Sequence, residues 1–101
     1  MATTSKTLFR GAATTTVGTT LYTVPSATTT VVTSILITNT SATAGSFTLG
    51  LGGTNLATTV TVGGLDTTII DLKQTLTATQ TITGGASATT INFHIAGVEI
   101  A

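Results

Sequence analysis

The chain has 101 residues and a formal net charge of zero, with three Lys or Arg, three Asp or Glu, one His and no Cys. This length fits a single domain. So few basic residues exclude a nucleic-acid binder that relies on attraction to phosphates, and the lack of Cys excludes disulfides and thiolate metal sites. One His and three carboxylates are too few for a catalytic constellation, so we expect neither an enzyme nor a bound cofactor or metal.

Threonine contributes 30 residues and predicts strands rather than disorder. Its β-branched side chain favours extended backbone. Disordered chains combine low hydrophobicity with high net charge, whereas 41% of this sequence is hydrophobic. The apolar residues show no helical spacing, and they occur in short runs separated by Gly, Asn, Pro and Ser.

The first half of the chain predicts four strands. Their bounds are 7–10, 19–24, 30–39 and 46–51. The third is the longest and carries apolar residues on both faces. On one face lie Val31, Ile35 and Ile37, and on the other lie Val32 and Leu36. Such a strand is expected in the centre of a sheet.

The second half predicts four more strands, with glycine pairs at 63–64 and 84–85 as turns. Their bounds are 55–62, 67–72, 75–83 and 89–100. Over residues 75–83, Thr occupies every odd position, which fits one continuous strand. The alternative is a turn near residues 77–80 that divides this segment.

The last predicted strand contains a change of apolar register. Its apolar residues are odd-numbered from Ile91 to Ile95, but even-numbered at Val98 and Ile100. Without a correction, one of these sets would face water. A β-bulge at residues 96–97 would turn both sets toward the core, and we expect the bulge there.

Short strands without helices predict an all-β fold, an antiparallel β-sandwich of jelly-roll type with about seven or eight strands. Residues 1–10 are assigned to an N-terminal arm and residues 11–101 to a single β-sandwich domain. The arm has few apolar anchors, so we expect contact with a neighbour to order it. No export or membrane segment is expected, because the longest apolar run is only residues 35–37.

Candidate chemical groups are few. His94 is expected to be exposed or at an interface, and no second metal ligand lies at a useful spacing from it. Glu99 is expected to face outward. Asp66 is expected to cap the preceding glycine turn, and Asp71 to face outward beside Lys73, as a weak ion pair.

A surface with so little charge has a physical meaning, because monomers usually stay soluble through charges of both signs. The sequence therefore favours a building block that neighbouring subunits cover. The arm supplies basic and apolar contacts, and two aromatic polar residues lie elsewhere. The candidate interface residues are Lys6, Leu8, Phe9, Arg10, Tyr22 and His94. Alternatives are a neutral sugar-binding module and an ice-binding surface, although the chain lacks the short repeats of the latter.

Three segments carry a resemblance to a known family. They are residues 8–12 (Leu-Phe-Arg-Gly-Ala), residues 21–25 (Leu-Tyr-Thr-Val-Pro) followed by strand 31–39, and residues 91–100, which end in Gly-Val-Glu-Ile. In this order the pattern resembles small virion structural proteins of tailed bacteriophages, over nearly the whole chain. These β-sandwich proteins decorate the head or occur in tail and fibre assemblies. In similar sequences a turn divides the segment that matches 76–82, which favours the turn near residues 77–80.

The resemblance implies a non-enzymatic capsid decoration or cement protein. Its partners would be the major capsid protein, or another virion protein, and copies of itself in a homotrimer. It would be made in the host cytoplasm and reside in the virion, with no nucleic-acid or membrane partner and no cofactor. The alternative within the same family is a tail, neck or fibre-associated module that acts in assembly or in attachment to host glycans.

Overall fold

The computed structural model describes residues 2–101, and these residues form eight strands. The strands are β1 (Thr3–Ala12), β2 (Thr20–Thr23), β3 (Thr29–Asn39), β4 (Gly45–Leu51), β5 (Thr54–Val62), β6 (Thr67–Leu76), β7 (Thr81–Ala86) and β8 (Ile91–Ile100). No helix that could cross a membrane occurs in this part of the chain. The prediction of an all-β fold is confirmed.

The strands form two antiparallel sheets of four strands each. One has the order β1-β8-β3-β6 and the other the order β2-β7-β4-β5. Successive strands alternate between the sheets, except that β4 and β5 form a hairpin within one of them. This is the strand order of an eight-stranded jelly roll. The two sheets are called the 1-8-3-6 sheet and the 2-7-4-5 sheet below.

The core lies between the sheets and is aliphatic apart from two rings. Phe47 of β4 and Phe93 of β8 meet edge to face, with centroids 6.3 Å apart and planes inclined by 75°. Around them pack buried side chains from both sheets. They include Leu8, Val24, Val32, Ile35, Ile37, Leu49, Val62, Leu76, Ile82, Ile91 and Ile95. As predicted from its apolar pattern, β3 takes a central place, between β8 and β6.

The change of apolar register lies in β3 and not in β8. Opposite β8, strand β3 has one extra residue at Thr33, so that Val32 and Ile35 both face the core. The predicted set of Val31 with Ile35 and Ile37 is therefore wrong, and Val31 lies on the outer face with Leu36. A shift of register between two paired strands can come from an extra residue in either strand. The apolar pattern of one strand therefore does not show which of the two contains the extra residue.

β8 keeps its odd-numbered residues directed inward as far as its end. Gly97 is buried, and Glu99 contacts the opposite sheet. Val98 and Ile100 are half-buried on the outer face. The predictions that these two point inward and that Glu99 points outward are both wrong, because β8 contains no extra residue at 96–97.

β1 replaces the predicted arm. Its residues pair with β8 along their whole length, from Thr3 opposite Ile100 to Ala12 opposite Asn92. An extra residue at Leu8 turns both Leu8 and the following Phe9 toward the core. Residues 3–10 thus belong to the sandwich, since two adjacent apolar side chains anchor them there. Met1, also part of the predicted arm, lies outside the described residues.

A turn divides the threonine-rich segment at 75–83. β6 ends at Leu76 and β7 begins at Thr81. Between them, Thr79 has a positive φ of 69° and the Thr77 N–H donates to the Gln80 side-chain oxygen at 2.9 Å. The continuous strand is therefore wrong, and the alternative of a turn near residues 77–80 is confirmed.

The glycine pair at 84–85 lies within β7 instead of forming the predicted turn. Both glycines are buried. A Cβ on Gly85 would lie 2.4 Å from the Thr16 carbonyl oxygen, and one on Gly84 would lie 2.6 Å from Leu49 Cδ2. Glycine is needed at position 85 because the loop after β1 lies against β7 at very close range, and at position 84 because Leu49 occupies the space of a Cβ.

Replacing Gly85 with Ala should therefore force the loop at Thr16 away from β7 and lower the free energy of unfolding by about 1–3 kcal/mol. Gly18 in the same loop is a matched control, because a Cβ there would meet no heavy atom within 4 Å. Urea unfolding should show a large loss for Gly85→Ala and little change for Gly18→Ala. Equal midpoints for the two variants would contradict this account of the loop.

Candidate functional site

A polar cluster lies between the sheets at one end of the sandwich, and consists of Lys6, Tyr22, Thr30 and Glu99. Glu99 of β8 is its centre. The carboxylate accepts a hydrogen bond from the Tyr22 hydroxyl and forms an ion pair with Lys6, whose Nζ lies 3.3 Å from Oε1. The Tyr22 hydroxyl also shares a 2.9 Å hydrogen bond with Thr30 Oγ1. Glu99 and Tyr22 come from different sheets, so this cluster joins the two sheets.

The register of β1 and β8 explains how Lys6 reaches this place. Lys6 lies opposite Gly97, and Thr4 lies opposite Glu99. Because Gly97 has no side chain, the lysine extends past it along the strand toward the carboxylate. β2 brings Tyr22 in from the other side, at the position paired with the buried Ile82.

Burial and charge determine how the cluster titrates. Burial raises the pKa of Tyr22, and the hydrogen bond to Glu99 raises it further. The hydrogen bond from Tyr22 lowers the pKa of Glu99, partial burial opposes this effect, and Lys6 lowers the pKa further. The Glu99 side chain is only 15% exposed. At neutral pH the cluster therefore holds an ionised carboxylate and a neutral phenol, each satisfied by the other.

The polar cluster links the two sheets through hydrogen bonds and an ion pair. Its carboxylate, ammonium and hydroxyl groups bind one another. Nowhere in residues 2–101 do three or more His, Asp or Glu side chains come close enough together to hold a metal ion. What the arrangement can do is fix β2 against β8 and resist separation of the sheets at this end.

The structure separates the sequence-predicted interface residues into three places. Lys6 and Tyr22 meet at Glu99 in the polar cluster, and Leu8 and Phe9 face the core. The remaining two lie on the outer face of the 1-8-3-6 sheet, where they are exposed cross-strand neighbours. These two residues are Arg10 of β1 and His94 of β8.

Other predicted polar residues fall as follows. Asp66 lies in its turn as expected, and its Oδ1 accepts a hydrogen bond from the Thr67 N–H at 2.8 Å. Asp71 is exposed, as predicted. Its predicted ion pair with Lys73 is wrong, because the ion pair that the described residues form joins Lys6 to Glu99.

Sequence reasoning missed two polar residues that hold the fold. The expected bulge places Glu99 on the outer face, although the odd-numbered alternation from Ile91 onward leads directly to its inward position. Asn39 ends the predicted strand 30–39 without a predicted role, yet it is 1% exposed. Its side-chain amide donates to the Thr43 carbonyl at 2.9 Å and to the Gly63 carbonyl at 3.3 Å. The odd-numbered alternation of Ile35 and Ile37 leads to this inward position, but an Asn at the end of a strand is also typical of an exposed turn.

Each outer face carries a shallow depression. One lies on the 1-8-3-6 sheet beside the extra residues of β1 and β3, has a volume of about 380 Å³, and includes Ser5, Thr7 and Thr33. The other lies on the 2-7-4-5 sheet beside Thr15 and Val17, has a volume of about 200 Å³, and includes residues 46–48 and Thr59. Side-chain hydroxyls and small residues dominate both surfaces.

No protein-family model and no curated protein sequence matches the chain. The fold, the surface and the pattern of the sequence are therefore the grounds for a functional proposal.

Removing the hydroxyl at the centre of the cluster should destabilise the protein. Tyr22→Phe keeps the ring but leaves the buried Thr30 hydroxyl without its tyrosine partner and Glu99 with Lys6 alone. We expect the free energy of unfolding to fall by about 1–3 kcal/mol in urea titrations. Thr23→Val removes an exposed hydroxyl from the same strand and is the matched control. A loss no larger than that of the control would show that the cluster contributes little.

Glu99 should also make stability depend on acidity. The folded protein lowers the pKa of this carboxyl below its ordinary value of 4.5, so its stabilising effect is present above that pH. The effect is lost as the pH falls through the lower folded-state pKa. Unfolding measured from pH 6 downward should show a smaller acid-induced loss in Glu99→Gln than in the wild type. Parallel pH profiles would contradict the assignment.

Proposed function

We propose that the protein is a non-enzymatic structural protein of a phage virion. Its role is that of a capsid decoration or cement protein, which binds the outer surface of the head as an oligomer and stabilises it. Its partners are the major capsid protein, or another virion protein, and copies of itself. Three parts of this proposal rest on the resemblance in sequence pattern: the location in a virion, the binding to the head and the homotrimer.

The observation that carries the proposal is a folded surface with very little charge. Of six charged side chains, Lys6 and Glu99 neutralise each other, leaving four for an accessible surface of 5122 Å². These four are Arg10, Asp66, Asp71 and Lys73. A free monomer usually has many more charges to keep it in solution. Coverage by neighbours removes that requirement, and threonine side chains lose little entropy when they are covered.

The fold supports the same role by analogy. Jelly rolls occur in viral capsid proteins and in lectins, among other proteins. A fold alone does not determine a function, so this support is only that of an analogy. The jelly roll has two outer faces and four edge strands, and each of these is a surface for contact with a shell.

A second candidate is a tail, neck or fibre module that attaches to host glycans. The depression on the 2-7-4-5 sheet favours it, because its hydroxyls at Ser46, Thr48 and Thr59 suit a neutral sugar. The Tyr22 hydroxyl is not free to bind a sugar, because it is bound to Glu99 and Thr30. Any sugar would therefore bind away from the tyrosine.

The copy number in purified particles distinguishes the two candidates. For a cement protein we expect quantitative mass spectrometry to find a copy number comparable to that of the major capsid protein. Heads that lack it should open at a lower temperature, and adding the purified protein should restore the wild-type value. A few copies per particle, with impaired adsorption and unchanged head stability, would support the tail alternative instead. Absence from particles would contradict both.

A further inference from the structure

The outer faces of the two sheets differ in a way that the fold alone does not require. In the 1-8-3-6 sheet, the central strands β3 and β8 carry apolar residues on the outer face as well as on the inner one, between polar residues such as Ser34, Asn92 and His94. Their half-buried outer residues include Val31, Leu36, Val98 and Ile100. In the 2-7-4-5 sheet, the central strands β4 and β7 present hydroxyls and glycine outward. These residues include Ser46, Thr48, Thr81, Thr83 and Gly85.

A strand that is apolar on both faces is typical of a sheet covered on both sides. The chain covers the inner face of the 1-8-3-6 sheet with the other sheet, and leaves its outer face open. Ile69 of β6 extends the same apolar surface and is 68% exposed. The geometry points to a second copy of this chain as the cover, packed face to face about a two-fold axis parallel to the strands.

Charge at the two edges of this face favours a second copy as the occupant. Arg10 lies on the edge strand β1 and Asp71 on the opposite edge strand β6, and both are exposed. A two-fold axis parallel to the strands exchanges the edges, so β1 of one copy lies over β6 of the other. β6 also carries Lys73, exposed and two residues beyond Asp71. Arg10 comes nearer to Asp71 than to Lys73 in this arrangement, so the contact brings opposite charges together at each edge.

The strand register sets the distance that each ion pair has to bridge. Arg10, His94, Leu36 and Ile69 form one row across the sheet. The axis places Arg10 over Ile69 of the second copy, and Asp71 is the next outward residue of β6, about 7 Å farther along the strand. A long arginine side chain spans that distance while its methylene groups cover the isoleucine. Symmetry produces the pair twice.

The apolar centre matches in the same arrangement. The axis puts β3 of one copy over β8 of the other, and Val31 and Val98 share a row. Val31 of each copy therefore meets Val98 of the other. An axis perpendicular to the strands would instead set each edge strand over its own copy, which leaves Arg10 and Asp71 on separate sides.

The area is sufficient for a stable contact. Four strands spaced by about 4.8 Å and ten residues long cover roughly 19 by 33 Å, or about 600 Å² on each copy. The two copies together would bury about 1,200 Å², which is the lower end of the range for specific interfaces. This contact goes beyond the proposed role in a virion and does not depend on it, although a two-fold dimer would stand in place of the homotrimer that the resemblance implies.

Charge exchange tests the contact in the free protein. Sedimentation equilibrium of the wild type should give the mass of a dimer. Asp71→Arg and Arg10→Asp each place like charges at both sites, so each should raise the dimer dissociation constant at least about tenfold. The double variant Arg10→Asp/Asp71→Arg should bring it back toward the wild-type value. Thr61→Arg, exposed on the outer face of the other sheet, should leave it unchanged.

Unfolding midpoints of all variants show whether each remains folded, so that loss of the dimer is distinguished from loss of structure. A monomeric wild type, or a trimer as the resemblance implies, would overturn the two-fold contact. A double variant that associates no better than the single variants would do the same. None of these results touches the copy number in particles, which tests the virion proposal separately.

Discussion

The structure depends on a mismatch in residue number across the 1-8-3-6 sheet, at the level of Gly97. β8 passes this level without an extra residue, while its neighbours β1 and β3 each insert one, at Leu8 and Thr33. The strands approach so closely there that a Cβ on Gly97 would lie 2.4 Å from the Val31 carbonyl oxygen. Glycine is therefore required at this position of β8. Each neighbouring strand forms a β-bulge there, with one residue more than β8.

Several features follow from this mismatch. The extra residue in β1 directs Leu8 and Phe9 to the same side, which anchors an edge strand that otherwise consists mostly of exposed residues. The uninterrupted alternation of β8 carries Glu99 between the sheets, where it meets a tyrosine from the opposite sheet. The same alternation leaves Val98 on the outer face. One irregularity thus determines both the polar cluster and the apolar outer surface.

The sequence predicts the class of fold because period-two patterns of apolar residues are local, and β4 is an example with Phe47 and Leu49 buried. It does not predict which strand bulges, because that depends on pairing between residues more than 60 positions apart, such as Thr33 and Ala96. For this reason the sequence predicts the wrong side of the sheet for Glu99. The pair Gly84 and Gly85 predicts a bend, because glycine at a place of close packing has the same sequence signal as glycine in a turn.

Because charged residues are so few, the position of each one is informative about the structure. In a chain with many ions, exposed pairs contribute little and their positions are rarely informative. Here one pair lies between the sheets, where it is partly shielded from solvent, while Arg10 and Asp71 lie at opposite edges of the apolar face. The outer side of the central strands β3 and β8 carries no Lys, Arg, Asp or Glu, so covering it removes water from no carboxylate or ammonium group. The small number of charged residues is therefore also what allows one sheet of the jelly roll to be covered.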